Sequence, residues 1–277
     1  MRRLALLIGF CLFLLACGNS EPTPLATVAS HPGGIGTGEQ RVMFALVDPE
    51  TNAWVAAPDR EATVTLRDEN GAPLDTYETE FVWAVEGTRG LYVANLVIPE
   101  AGNYQVTIDE DGFSEAGPAG LVASEDPSVI QRGEPAPPSE TRVGADFPDL
   151  SIITSDPDPD PAMYEVSVAD AVASGNPTVI AFATPAFCSS EACGPMLDQV
   201  KALQANFPDV EFVHVEVYDD LQVADFNDLT VVPAVEEWGL PSEPWVFVVD
   251  GSGTVSAAFE GAVGEDELTS AIEAVAS

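Results

Sequence analysis

Cys188 and Cys193 are the side chains whose type and spacing can do chemistry. They share the stretch Pro177-Thr-Val-Ile-Ala-Phe-Ala-Thr-Pro-Ala-Phe-Cys188-Ser-Ser-Glu-Ala-Cys193-Gly-Pro-Met196. The apolar, β-branched run predicts a buried strand, and the residues from Gly194 onward predict a helix with Pro195 in its first turn. Both thiols therefore fall on the loop between strand and helix. The free N–H groups and positive potential of a helix N-terminus favour a thiolate over a thiol. Such a pair suits a reversible disulfide or a soft metal ion. It can also be a plain staple, although closing so small a ring stabilises by only roughly 2 kcal/mol. No basic residue stands near the loop in sequence, and Glu191 lies between the sulfurs. The helix terminus is thus expected to activate the thiols unaided.

The other end of the chain sets the compartment. Met1-Arg-Arg precedes an apolar run from Leu4 to Ala16, too short to span a bilayer comfortably, and then Cys17. Leu14-Leu-Ala-Cys17 resembles the lipobox of bacterial lipoproteins. The resemblance implies cleavage before Cys17, a diacylglycerol on its sulfur, and a location on the extracytoplasmic face of the cell membrane. Residues 1–16 are then the signal peptide and residues 17–39 a flexible tether. Cys11 departs with the signal peptide and Cys17 carries lipid. Cys188 and Cys193 remain as the thiols of the mature chain, in a compartment where disulfides persist.

The composition constrains partners. The chain of 277 residues has a formal net charge of −37 and a single lysine, Lys201. It has no basic patch for nucleic acid or for anionic lipid. With 46% hydrophobic residues there is apolar material for two modest cores.

The pattern along the chain predicts two domains. Residues 40–111 carry short strand signals at 41–47, 63–67, 77–85, 91–98 and 104–108. Turn signals such as Asn70-Gly71 and Ala101-Gly102-Asn103 separate them, which predicts an antiparallel sandwich. The segment Ile98-Pro-Glu-Ala-Gly-Asn-Tyr-Gln-Val106 resembles the penultimate turn and last strand of immunoglobulin-like bacterial envelope domains. This part reads as a spacer or interaction domain. Residues 112–163 read as a linker rich in Pro and Asp, ending in the extended run Asp156-Pro-Asp-Pro-Asp-Pro161. Residues 164–277 read as β/α, with helices expected at 166–173, 194–206, 219–229 and 265–275 and strands at 178–183, 210–217, 245–249 and 255–259.

That β-α-β then β-β-α order resembles the thioredoxin fold, over the last hundred-odd residues. Ala192-Cys193-Gly194-Pro195 matches thioredoxin's active-site text, and Glu243-Pro244-Trp245 enters the next strand where the family places a cis-proline beside the thiols. An Asp250-Gly-Ser-Gly hairpin and an acidic-capped terminal helix complete the likeness. The chain departs from the family at Met196, where the second cysteine belongs; the partner thiol lies upstream at Cys188, giving C-x4-C. Aligning from the strand puts Cys188 at the family's nucleophile position, and aligning from the helix puts Cys193 there. Attacking and resolving roles stay open, with a lean to Cys193 as the lower-pKa thiol.

The resemblance implies thiol–disulfide exchange with protein thiols and disulfides of the cell envelope, using Cys188 and Cys193, with Pro244 holding an extended substrate chain. It implies no cofactor. One alternative is copper binding like that of Sco-type chaperones, with Cys188, Cys193 and His214 as ligands. Another is a non-catalytic module in which the disulfide only closes the loop.

Overall fold

The computed structural model describes residues 23–111, 115–223 and 226–276. The expected lipid-bearing Cys17 and the signal peptide lie outside these residues. No helix among the described residues is long and apolar enough to cross a membrane.

Eight strands build the N-terminal unit. They are β1 (Leu25–Val28), β2 (Gly38–Val47), β3 (Ala62–Arg67), β4 (Pro73–Glu78), β5 (Glu80–Val85), β6 (Arg89–Ile98), β7 (Gly102–Glu110) and β8 (Ala116–Ala123). They form two antiparallel four-stranded sheets, ordered β1-β2-β6-β5 and β4-β3-β7-β8. This is the strand order of an immunoglobulin-like sandwich. Inner-face side chains such as Phe44, Leu46, Tyr92, Val106 and Leu121 make its core.

The sandwich is longer than the pattern predicted, and one expected strand is two. The expected tether, 17–39, contains β1 and the start of β2. β8 lies in the expected linker and pairs with β7. The strand expected at 77–85 is broken at Thr79, where the chain leaves one sheet for the other. Thr79 donates from both its backbone N–H and its hydroxyl to the Ala62 carbonyl, which holds the crossing.

The C-terminal unit is a four-stranded sheet, ordered β10-β9-β11-β12. Its strands are β9 (Thr178–Ala183), β10 (Glu211–Glu216), β11 (Trp245–Val249) and β12 (Val255–Glu260). β10 runs parallel to β9, whereas β11 is antiparallel to both β9 and β12. α2 (Cys193–Gln204) and α4 (Glu265–Val275) bury apolar stripes on one face, against Val179, Ala181, Val246 and Val248. α1 (Val168–Ala173) and α3 (Pro233–Glu237) cover the other face, against Ile180, Phe182, Val213 and Phe247. A sheet covered twice needs strands apolar on both sides, which is why β9 and β11 read as unbroken apolar runs. The helix expected at 219–229 is absent; its described residues form turns and a short 3-10 segment at 226–228. The run has too few apolar residues to cover a sheet.

Residues 124–163 do not run free as a linker. They strap the C-terminal unit, burying Val129, Ala136 and Ile153 in its two cores. Pro135 pairs with Thr254 at the head of β12. Ser139 Oγ accepts from the Nε1–H of the fully buried Trp238 at 3.2 Å. At Gly239 (φ +65°) a Cβ would lie 1.7 Å from the Ser128 carbonyl oxygen, so only glycine lets the strap pass. Asp156, expected in an extended spacer, is buried and paired to Lys201 of α2 at 2.9 Å.

The two units also touch. Met43, Val82, Leu91 and Val93, on the outer face of the β1-β2-β6-β5 sheet, pack with Ala262 beyond β12. Arg41 bonds both carboxylate oxygens of Glu267, at 2.7 and 2.9 Å, and the Ala262 carbonyl at 2.7 Å.

Candidate functional site

β9 delivers the chain to the end of the sheet, where it turns through Thr184-Pro185-Ala186-Phe187. The Phe187 N–H donates to the Thr184 carbonyl at 3.1 Å, and Ser155 of the strap accepts from the Ala186 N–H at 3.2 Å. Cys188 follows, then a tight turn in which the Glu191 N–H reaches the Cys188 carbonyl at 3.3 Å. Glu191 itself has φ +61°, a left-handed conformation rare outside glycine. Cys193 opens α2. Cys188 and Cys193 are joined as a disulfide, with Cα atoms 6.0 Å apart.

The two sulfurs are not equivalent. Cys193 is fully buried against Met196 and Leu197, whereas Cys188 is half-buried. The first N–H of α2, that of Cys193, donates to Cys188 Sγ at 3.4 Å, and the Ser190 hydroxyl lies 3.1 Å from the same sulfur. Helix-terminus potential therefore bears on Cys188, the sulfur within reach of solvent, more than on Cys193. The lean towards Cys193 as the thiolate is not supported by this arrangement. Cys193 lies at the helix start, but the N–H groups of a helix point away from it, at whatever precedes.

Arg89 corrects a second expectation. It opens β6 on the sandwich, and its guanidinium reaches the cysteine loop. Nη2 pairs with Glu191 Oε2 at 3.1 Å and Nη1 donates to the Ser190 carbonyl. A basic group does stand at the cysteine loop, supplied from 101 positions upstream of Ser190. No local signal in the sequence announces it.

Pro244 is buried and follows a cis peptide bond from Glu243. Trp245 pairs with Phe182, so the antiparallel register carries Pro244 to the end of β9 where the cysteine loop departs. Its carbonyl accepts from the Gly261 N–H at 2.8 Å.

Behind the loop lie two shielded carboxyls. Glu216, at the end of β10, accepts the Ser155 and Val217 N–H groups at 2.8 and 3.1 Å. Burial pushes its pKa up. Burial also raises that of Glu243, and the nearby Glu216 raises it further. Sequence reading missed Ser155 and Glu216. Glu216 terminates an apolar strand, which was a usable signal, whereas Ser155 lay in a stretch read as spacer.

His214 is a satisfied core residue. Its Nε2–H donates to the Ala183 carbonyl at 3.0 Å, which leaves Nδ1 to accept the Tyr164 hydroxyl at 2.6 Å. Burial lowers its pKa to about 4. Both ring nitrogens are engaged, so the structure does not bring His214 to the thiols as a third ligand. Among the described residues no three His, Cys, Asp or Glu side chains group as a metal site.

No family model matches the chain, and no curated protein matches it. Solved structures give partial likenesses. The Lin-41 filamin domain is 14% identical, with 38% of this chain and 99% of that chain covered, at a TM-score of 0.24. The TIG domain of human nuclear factor of activated T-cells, cytoplasmic 4, is 10% identical over 36% of this chain and 89% of that chain, with a TM-score of 0.22. The CARDB domain of the PF1109 protein from Pyrococcus furiosus is 14% identical over 38% of this chain and 94% of that chain, with a TM-score of 0.21. Likenesses of this size carry nothing about the residues around Cys188.

What the geometry can do follows from its own atoms. A half-buried sulfur receives a helix N–H and a hydroxyl. Its partner sulfur is buried directly behind it. That is a disulfide open to attack from one side.

Proposed function

We propose that the C-terminal unit is a thioredoxin-like module and that Cys188 and Cys193 are a thiol–disulfide exchange pair. The sheet order β10-β9-β11-β12, the cysteine loop after β9 and Pro244 before β11 support the fold reading. The observation that carries the activity is the asymmetry of the sulfurs: Cys188 half-buried and hydrogen-bonded by α2, Cys193 fully buried. A thiolate of a partner protein attacks Cys188 Sγ. The new sulfur–sulfur bond forms as the Cys188–Cys193 bond breaks, and Cys193 leaves as a thiolate that takes up a proton. A second partner thiolate then attacks the partner's own sulfur in the mixed disulfide. The partner's disulfide closes, and Cys188 leaves as a thiolate. Two electrons pass from partner to pair, and the reverse sequence passes them back. Pro244, buried at the end of β9 where the cysteine loop departs, shapes the backbone on the side from which the partner's extended chain approaches.

The reading is tested by equilibrating the chain with glutathione and counting thiols at Cys188 and Cys193 by mass spectrometry. A potential between roughly −270 and −120 mV is expected, the range of exchange proteins, and one below about −300 mV marks a structural staple instead. Cys193→Ser should accumulate a mixed disulfide at Cys188, whereas Cys188→Ser should not.

The same proposal places the protein on the extracytoplasmic face of the cell membrane, through a lipid on Cys17. The lipobox-like Leu14 to Cys17 supports it. Cys17→Ser should move the protein from the detergent phase to the aqueous phase on partitioning; unchanged partitioning of a cleaved Cys17→Ser chain refutes the anchor.

A further inference from the structure

We infer that Arg89, on the sandwich, is a positioning residue for the cysteine pair, and that it shields the Cys188 thiolate from the charge of Glu191. The inference deepens the exchange reading and rests on it for its biological meaning.

The starting point is a conflict in the loop. A thiolate at Cys188 is disfavoured by a carboxylate three positions on, in a turn that already folds back on the Cys188 carbonyl. The left-handed backbone at Glu191 turns that side chain out of the loop, where it is exposed. Arg89 meets it there with Nη2, and fixes the adjoining residue by donating from Nη1 to the Ser190 carbonyl. Ser190 is the residue whose hydroxyl lies 3.1 Å from Cys188 Sγ. One guanidinium thus neutralises the unfavourable charge and holds the residue that carries the favourable hydroxyl. A planar fork with several donors can do both, whereas an ammonium would supply charge without the fork.

Arg89 can serve in this way only while the two units are docked. It begins β6, directly after the Glu86-Gly-Thr88 turn. The same sheet packs Val82, Leu91 and Val93 with Ala262, and Arg41 grips Glu267. The docked sandwich is therefore an electrostatic part of the thiol site and not a spacer. Among the described residues Lys201, the single lysine, is held by Asp156 and Asp198, so it is committed elsewhere.

The test is the pH profile of Cys188 alkylation by iodoacetamide in the reduced full chain, read on the Cys188 peptide by mass spectrometry. Arg89→Gln should raise the midpoint by about half a unit and slow alkylation below it about threefold, the size expected of one unit charge at close range in water-like surroundings. Arg89→Lys should recover most of the shift. Glu191→Gln in the Arg89→Gln background should recover it too, because the charge to be neutralised is gone. Glu191→Gln alone, which leaves the loop and the sandwich core untouched, should lower the midpoint below wild type. A wild-type midpoint in Arg89→Gln, or no recovery in the double variant, overturns the inference, as does a midpoint in Glu191→Gln that stays or rises. Alkylation needs no exchange activity. A chain that fails to equilibrate with glutathione but shows these shifts loses the exchange reading and keeps this one. A chain that equilibrates without the shifts does the reverse.

Discussion

Three titratable side chains are held behind the cysteine loop with little water, and their protons work in opposite directions. His214 titrates near 4 in the folded chain against an ordinary 6.5. Between those values the unfolded chain binds more protons, so the folded state loses stability as the pH falls from about 6.5 to about 4. Fully developed, a shift of this size corresponds to about 3 kcal/mol. Glu216 and Glu243 have raised pKa values, so the folded chain holds their protons above the ordinary 4.5 and loses stability as the pH rises past it. Replacing His214 by Gln keeps an acceptor for Tyr164 and a donor for Ala183 while removing the titration. His214→Gln should therefore gain less urea stability than wild type, or lose some, as the pH rises from 4 to 6.5, because the opposing carboxyls remain. Parallel profiles for the two proteins would show that burial of the imidazole does not set this slope.

At the scale of elements, what could be read from the chain was whatever a local pattern decides. β9, α2, β11 and α4 follow from apolar runs and helical stripes, and the disulfide loop follows from its place between two of them. β4 and β5 could not be told apart, because alternation continues across Thr79 while the sheet changes. Periodicity registers that side chains alternate, not which sheet receives them. Pro-rich composition was misleading at 124–163. Proline fixes an extended backbone, and an extended backbone lies along a sheet edge as readily as it spans solvent. β2 carries a sign of the docking in its own residues. Val42 to Leu46 of β2 is apolar at every position, whereas a sandwich strand with one wet face should alternate. Met43 and Ala45 are apolar because the C-terminal unit covers them. Arg89 was beyond any such reading, since its contact depends on that docking.

For the molecule as a whole, the strap decides where a separable unit begins. A fragment from 164 to 277 lacks Val129, Ala136 and Ile153 from the cores flanking the sheet, and leaves the indole N–H of Trp238 without Ser139. An unpartnered buried donor alone costs about 1–3 kcal/mol, and each lost apolar side chain adds to that. A fragment from 124 to 277 keeps all of them. It is expected to unfold cooperatively in urea at a higher midpoint than 164–277, whose transition should be early or broad. Equal midpoints would mean that the strap merely rests on a finished domain.

The strap also imposes an order in time. A chain emerging N-terminus first can close the sandwich once β8 has appeared, since all the pairing partners of those strands lie within residues 25–123. The first residues of the strap bond back to that unit, Ser124 and Ser128 donating their N–H groups to the Ile35 and Gly33 carbonyls, but the rest have no such partners ready. Ser139 must wait for Trp238, which follows 99 positions later in the chain. Until the C-terminal sheet forms, Val129 and Ala136 are apolar side chains without their surface to cover, beside a neighbour that has already folded. The strap is therefore apolar surface held waiting between a finished unit and an unfinished one.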